Sequence, residues 1–301
     1  MLKGLLAPLV TPLNDDFSID FFALKNLTAR LLNKGVRNFF ILNNFSEQKN
    51  LDLVAQQKII SFTSQEVSKR ANLLVGCFGE TTEEVIEKIH FAEKYADFCV
   101  INMPFVALEN RISFTDFFDS IMTHSNSKII IYNNPLLSRV KFDPSWIEPF
   151  VNWENLAGII DSSRNPEYLD SLEKFSGFVK LFEENEDLVF ESLRKGFCGV
   201  SCISSLISPN YYIELIEGYS NFDYRRLLRN ESKISAVSRL IPASKRIQAV
   251  KLVLSIQGIT KDIHFSDIEP LSQKERELIF KTFGFERIQK NASIQNGSFF
   301  A

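Results

Sequence analysis

Short apolar runs alternate along the first two-thirds of this chain with longer segments whose apolar residues recur at helical spacing. The runs are Leu5–Pro12, Val36–Asn43, Leu73–Gly79, Phe98–Pro104, Ile129–Pro135, Leu156–Asp161, Phe178–Phe182 and Gly199–Ser204. Most are nearly continuous in apolar residues, the pattern of a parallel strand buried on both faces. Between the first two, Asp20 to Leu32 sets Phe21, Leu24, Leu27 and Leu31 on one helical face. Thr81 to Tyr95 opens with Thr81-Thr82-Glu83-Glu84, a capped start, and Pro144 and Pro166 sit where a first helical turn tolerates proline.

Eight strand–helix repeats predict a parallel sheet with crossover helices. Packed into about 220 residues, they predict closure into an α/β (β/α)8 TIM barrel. No Gly-x-Gly-x-x-Gly follows any run, which argues against an open dinucleotide-binding sheet. From Pro209 onward the pattern is only helical, clearest over Ala236–Ile256 and Ser272–Phe283. The expected organisation is a barrel over 1–208, a helical extension packed on it over 209–288, and a polar tail over 289–301 expected to be disordered.

A chain of 301 residues with 45% hydrophobic content can bury a large core. Its net charge of −3, with both signs interspersed, argues against nucleic acid and anionic membrane as partners. No apolar run reaches transmembrane length, and Met1 to Pro8 lacks the features of a secretory signal, so a cytoplasmic location is expected. Cys77 and Cys99 lie inside apolar runs and read as reduced core residues. Cys198 and Cys202 have no histidine nearby, so no metal is expected, and no cofactor motif is present. His90, His124 and His264 read as surface or helix-face residues.

In such barrels chemistry sits at the C-terminal ends of strands. The fifth run reaches Tyr132 and the sixth Ile160-Asp161. Lys180 is the one charged residue inside the seventh run, where alternation points it inward, roughly 13 Å below the strand end. Glu183, Glu184, Glu186 and Asp187 fit carboxylates favoured at a helix N-terminus, Asp161-Ser162-Ser163 fits a helix N-cap, and Ser201, Ser204 and Ser205 lie near the eighth strand end.

Four segments together resemble the dihydrodipicolinate synthase / N-acetylneuraminate lyase family of class I, pyruvate-dependent aldolases. They are Leu9 to Asp20, Asn43-Asn44-Phe45-Ser46-Glu47, Tyr132 to Ser138, and Gly158-Ile159-Ile160-Asp161. The resemblance spans about residues 2 to 285. It implies a barrel that binds a small 2-oxo acid or sugar acid, forms a Schiff base on a lysine, and assembles as a homodimer or homotetramer. It also implies a lysine where this chain has Ile160, which cannot form an imine. Two threonines become Asn44 and Phe45, and the paired tyrosines after the fourth strand become Pro104-Phe105-Val106. The arginine some members carry falls on Leu137, with Arg139 two residues late, and a glycine-led turn becomes Glu184-Asn185-Glu186 or is shifted by one. The site expected from this alignment comprises Tyr132 and Lys180 as catalytic groups and Asn43, Asn44, Phe45, Ile160, Glu186 and Ser204 around the ligand. The leading expectation is a divergent member without standard Schiff-base activity. The alternatives are an active aldolase using a relocated Lys180 with Tyr132, or a carboxylate-binding or scaffold subunit paired with an active paralogue.

Overall fold

All eight apolar runs contain a strand in the computed structural model of the chain, which describes residues 2–103, 113–139, 143–240, 243–265 and 267–283. The strands are β1 (Gly4–Pro8), β2 (Asn38–Ile41), β3 (Asn72–Gly76), β4 (Phe98–Ile101), β5 (Ile129–Asn133), β6 (Leu156–Asp161), β7 (Lys180–Glu183) and β8 (Gly199–Val200). They pair in parallel in sequence order, and β8 returns to β1, closing the barrel. The helices are α1 (Phe21–Asn33), α2 (Leu53–Val67), α3 (Thr82–Ala92), α4 (Ser113–His124), α5 (Pro135–Ser138), α6 (Pro166–Glu173), α7 (Val189–Arg194), α8 (Pro209–Ser220), α9 (Tyr224–Leu240), α10 (Arg246–Ile256) and α11 (Gln273–Thr282). The structure is therefore a (β/α)8 TIM barrel with additional C-terminal helices.

Strand alternation divides the core into two clusters. Leu6, Phe40, Leu74, Val100, Ile130, Tyr132, Ile160 and Phe182 fill the barrel interior. Phe39, Val75, Cys99, Ile131, Ile159, Leu181 and Val200 face the surrounding helices. Because every strand is covered on both sides, its sequence shows a nearly continuous apolar run, broken mainly at the strand ends.

Local chemistry sets the helix starts. Asp20 accepts from the Ala23 amide at 2.8 Å and caps α1, and Thr81 caps α3 through the Glu84 amide. The stretch expected to run as one helix over Ala236–Ile256 is divided: α9 ends at Leu240 and α10 begins at Arg246. The sequence carries Pro242 between them, a residue without the N–H that a continuing helix needs. Most strands are also shorter than the runs that mark them, though β6 fills its run and β7 ends one residue beyond its own. The eighth has two residues because Ile203–Leu206 winds into a 3-10 turn. The Pro104-Phe105-Val106 segment and the tail over 289–301 lie outside the described residues.

The loop after β2 carries two side-chain-bearing residues in the left-handed region, Leu42 (φ 49°) and Glu47 (φ 55°). That conformation is costly for a branched residue and is held only by surrounding contacts. Gly76 permits it: a Cβ there would stand 2.0 Å from the Leu42 carbonyl oxygen. Among the described residues no helix is long and apolar enough to cross a membrane.

Candidate functional site at the barrel mouth

The ladder of parallel hydrogen bonds runs one residue past the ends of β6, β7 and β8. Ser162 N donates to Asn133 O (2.8 Å), Glu184 N to Asp161 O (2.8 Å) and Ser201 N to Glu183 O (2.7 Å). Alternation therefore places Ser162, Glu184 and Ser201 on the interior side, one rung above Ile160, Phe182 and Gly199. This rung forms the polar rim of an otherwise apolar interior.

Tyr132 is at its centre. Its ring packs edge-on against Phe40 (centroids 6.2 Å apart) and stacks on Phe78 (5.5 Å). Its hydroxyl donates to Glu184, with both carboxyl oxygens 2.7 Å away, and accepts from Asn134 Nδ2 at 2.8 Å. Ser162 Oγ donates to Glu184 Oε1 at 2.7 Å. Burial, and secondarily the Glu184 charge, hold the Tyr132 phenol well above its ordinary range. Burial pushes Glu184 up to about 7, against the two hydroxyl donors that favour its charged form. The group closest to titrating at neutral pH is thus the carboxyl hydrogen-bonded to the phenol.

Ile160 is fully buried in the interior cluster, in register between Tyr132 of β5 and Phe182 of β7. Lys180 does not join this group. It opens β7 level with Gly158, two residues below Phe182. It lines a cavity of about 750 Å³ with Leu2, Asn72, Phe98, Lys128 and Ala157, which mark the strands' N-terminal ends. The alternative of a relocated Lys180 acting with Tyr132 is therefore not supported: Lys180 lies toward the opposite end of the barrel from the Tyr132 hydroxyl. Among the described residues Lys180 forms no ion pair with Glu183 or Glu184: Glu184 is engaged with Tyr132 and Ser162, and Glu183 Oε1 accepts from the Asn185 amide.

On the outer side of the same strands lies a second acidic pair. Asp161 accepts from Asn133 Nδ2 and, at 2.8 Å, from Ser163 Oγ. Glu183 is level with it on β7. Neither plays the role its position in the sequence indicates. Asn165 caps α6, through the Glu167 amide, and α7 starts with no side-chain cap. Burial pushes Asp161 up to about 6, and burial reinforced by Asp161 holds Glu183 well above the carboxylate range.

Asp161, Glu183 and Glu184 therefore bind a proton more tightly folded than unfolded. For Asp161 and Glu184 the stabilising contribution is complete below about pH 4 and is lost as pH rises through about 6 and about 7 respectively, and Glu183 acts in the same direction. For Asp161 and Glu184 this amounts to about 3 kcal/mol each. Urea unfolding is expected to show lower stability at pH 8 than at pH 5, with a shallower fall for Asp161→Asn. Equal or greater stability at pH 8 would contradict the assignment.

The remaining expected ligand residues mostly brace the backbone. Asn43 donates to Leu9 O (2.9 Å) and Phe40 O (2.7 Å) and accepts from the Phe45 amide (2.7 Å). Phe45 packs against the outer cluster and Asn44 is half-buried. Glu186 and Ser204 do come together: Glu186 Oε1 accepts from the Ser204 amide at 3.0 Å, while its other oxygen lies 3.3 Å from Arg246 Nε. Glu47 forms a buried ion pair with Lys251 of α10, and its second oxygen accepts from the Phe265 amide at 3.0 Å. His264 is half-buried beside Asp262 (3.2 Å) and is not a surface residue. Among the described residues no cluster of histidine, cysteine or carboxylate side chains is arranged to hold a metal. Sequence reasoning placed Ser201 near the eighth strand end but missed Asn134, Ser162 and Glu184 as rim residues. Counting alternation one step past each strand end would have found them.

The chain is 25% identical over 285 residues to the 4-hydroxy-tetrahydrodipicolinate synthase of Bartonella bacilliformis, covering 93% of this chain and 96% of that protein. It is 27% identical over 299 residues to an uncharacterized DapA-like lyase of Pyrococcus horikoshii, covering 92% and 100%. Its fold superposes on the dihydrodipicolinate synthase of Bacteroides thetaiotaomicron with a TM-score of 0.88 at 24% identity, covering 94% of this chain and 98% of that one. Since the dihydrodipicolinate synthetase family model matches residues 1–283, nearly the whole chain, the protein belongs to that family.

Proposed function

We propose that this chain is a family member whose barrel mouth does not work through an imine on β6. In its place it presents a tyrosine–carboxylate proton relay to a small ligand. The observation that carries this reading is Ile160. It points into the interior beside Tyr132, at the position where the family resemblance requires an amine, and an aliphatic side chain has no lone pair to attack a keto group. What remains is a hydrogen-bonded chain, Asn134 to Tyr132 to Glu184, with Ser162 donating to the same carboxyl. A phenol and a carboxyl in direct contact can pass a proton between them, with Glu184 titrating near neutral pH. A cytoplasmic homodimer or homotetramer belongs to the same proposal, by resemblance.

The test is covalent trapping. After incubation with pyruvate and borohydride, the intact mass is expected to be unchanged. A reduced pyruvate adduct on one lysine, located by peptide mapping, would overturn the reading.

A further inference from the structure

The rim contains buried polar atoms that the protein itself does not satisfy. Ser201 is fully buried, and its Oγ has no hydrogen-bond partner. It stands level with Glu184 on one side and with Leu6 on the other, facing the interior. Asn102 follows β4 by one residue, and alternation from the interior Val100 turns it inward, level with Tyr132. It is 6% exposed, and its Oδ1 is also unpartnered. Leaving such groups unpaired is costly, so buried polar atoms of this kind mark a place for an absent partner.

The charges at the rim say what kind of partner. Glu184 is 4% exposed and receives only hydroxyl donors. Among the described residues no lysine or arginine forms an ion pair with it, and Arg164, whose field it feels, is exposed. Arg246 is committed to Glu186 and Asp187. A 2-oxo acid entering here would bring its carboxylate toward a buried carboxyl that, among the described residues, has no ion-pair partner. An ammonium group would instead find Glu184, the Tyr132 oxygen and Ser201 Oγ, all able to accept, with Glu184 and Ser201 level on adjacent strands.

We propose that the rim formed by Tyr132, Glu184 and Ser201 binds a small molecule through a primary ammonium group. The inference rests on the reading above that no imine forms at Ile160, and it names the ligand class of that same mouth. Ion-pairing to a buried carboxylate gives the affinity, and the unpartnered Ser201 Oγ, level with Glu184 on the neighbouring strand, orients the ammonium hydrogens.

The full chain is titrated at pH 8 and constant ionic strength with ethanolamine, ethylene glycol and glycolate, read by thermal shift and calorimetry. Ethanolamine is expected to raise the melting temperature by about 2–4 °C at tenfold excess over its Kd, with no effect from the other two. Glu184→Gln is expected to abolish the shift. Ser201→Ala, which deletes an unpartnered hydroxyl, is expected to keep the parent melting temperature and weaken binding about tenfold. The proposal falls if ethanolamine gives no shift up to 10 mM (roughly the weak end of specific binding), if the diol matches it, if glycolate is preferred, or if both variants bind it as the parent does. A pyruvate adduct in the trapping experiment would defeat the reading of Ile160. Loss of the ethanolamine response alone would defeat only this inference.

Discussion

Gly199→Ala is expected to cost the chain its closed barrel. A Cβ built at this position would stand 1.9 Å from the Gly4 carbonyl oxygen, 2.8 Å from its carbon and 2.9 Å from its nitrogen. All three are backbone atoms of the adjoining strand, so no rotamer change relieves the clash. The strand concerned is only Gly199–Val200, and it pairs with β1 on one side and β7 on the other. Separating these strands to admit the methyl would break the hydrogen bonds that complete the cylinder. The expected cost is above about 4 kcal/mol, beyond ordinary overpacking, and it would appear as lost soluble yield or a melting temperature lower by about 10 °C or more. Gly177→Ala is the control. Its added Cβ meets nothing within 4 Å, and it is expected to melt within about 2 °C of the parent. If Gly199→Ala also melts within that interval, the close approach of β8 to β1 is wrong.

The second large effect is expected at Lys251. Its ammonium is completely buried, pairs with the equally buried Glu47, and donates to Ile263 O at 2.9 Å. Burial pulls its pKa down and the Glu47 charge pulls it back up. Lys251→Met would leave the Glu47 carboxylate without its counter-charge, an arrangement that costs about 3–5 kcal/mol. Pairing that substitution with Glu47→Leu removes both charges and is expected to recover a large part of the loss. Denaturant melts of the two single variants and the double variant form a closed cycle that isolates the coupling. A double variant no more stable than Lys251→Met alone would show that packing, not uncompensated charge, dominates at this position. The pair also fixes Glu47 in its left-handed backbone, so loss of Lys251 should loosen the loop beginning at Leu42.

The barrel was legible in the sequence because each strand is apolar on both faces and each crossover has helical periodicity. Those signals are local. Ile129 to Asn133 and Leu156 to Asp161 were therefore placed almost to the residue. Tyr132 and Ile160 were recognisable as neighbours because consecutive strands in such a barrel lie side by side. The partnership of Tyr132 with Glu184 was not legible. It joins residues 52 apart, on strands separated by β6, and depends on the register of β7, which two consecutive glutamates leave open by one residue. Glu183 and Glu184 look interchangeable in sequence, yet one faces the helices and the other the interior. The same ambiguity surrounded Lys180, whose height along the strand becomes decisive only once the other strands are aligned with it. Lys251 gave no signal, because a lysine on a helix outside the eight repeats ordinarily reads as solvent-exposed.

Helix α10 has a consequence for how this protein can change over evolutionary time. Its Ala249, Val250, Leu252, Val253 and Leu254 belong to the same apolar cluster as Leu206 and Ile207, and its lysine neutralises an acid in the second strand-to-helix connection. Arg30 of α1 reinforces the junction by donating to the Leu206 and Ile207 carbonyls. The eight repeats are therefore not self-sufficient without the C-terminal helices. Recombination that exchanged the repeats alone would strand a carboxylate and bare an oily wall, so the two parts are constrained to be inherited together.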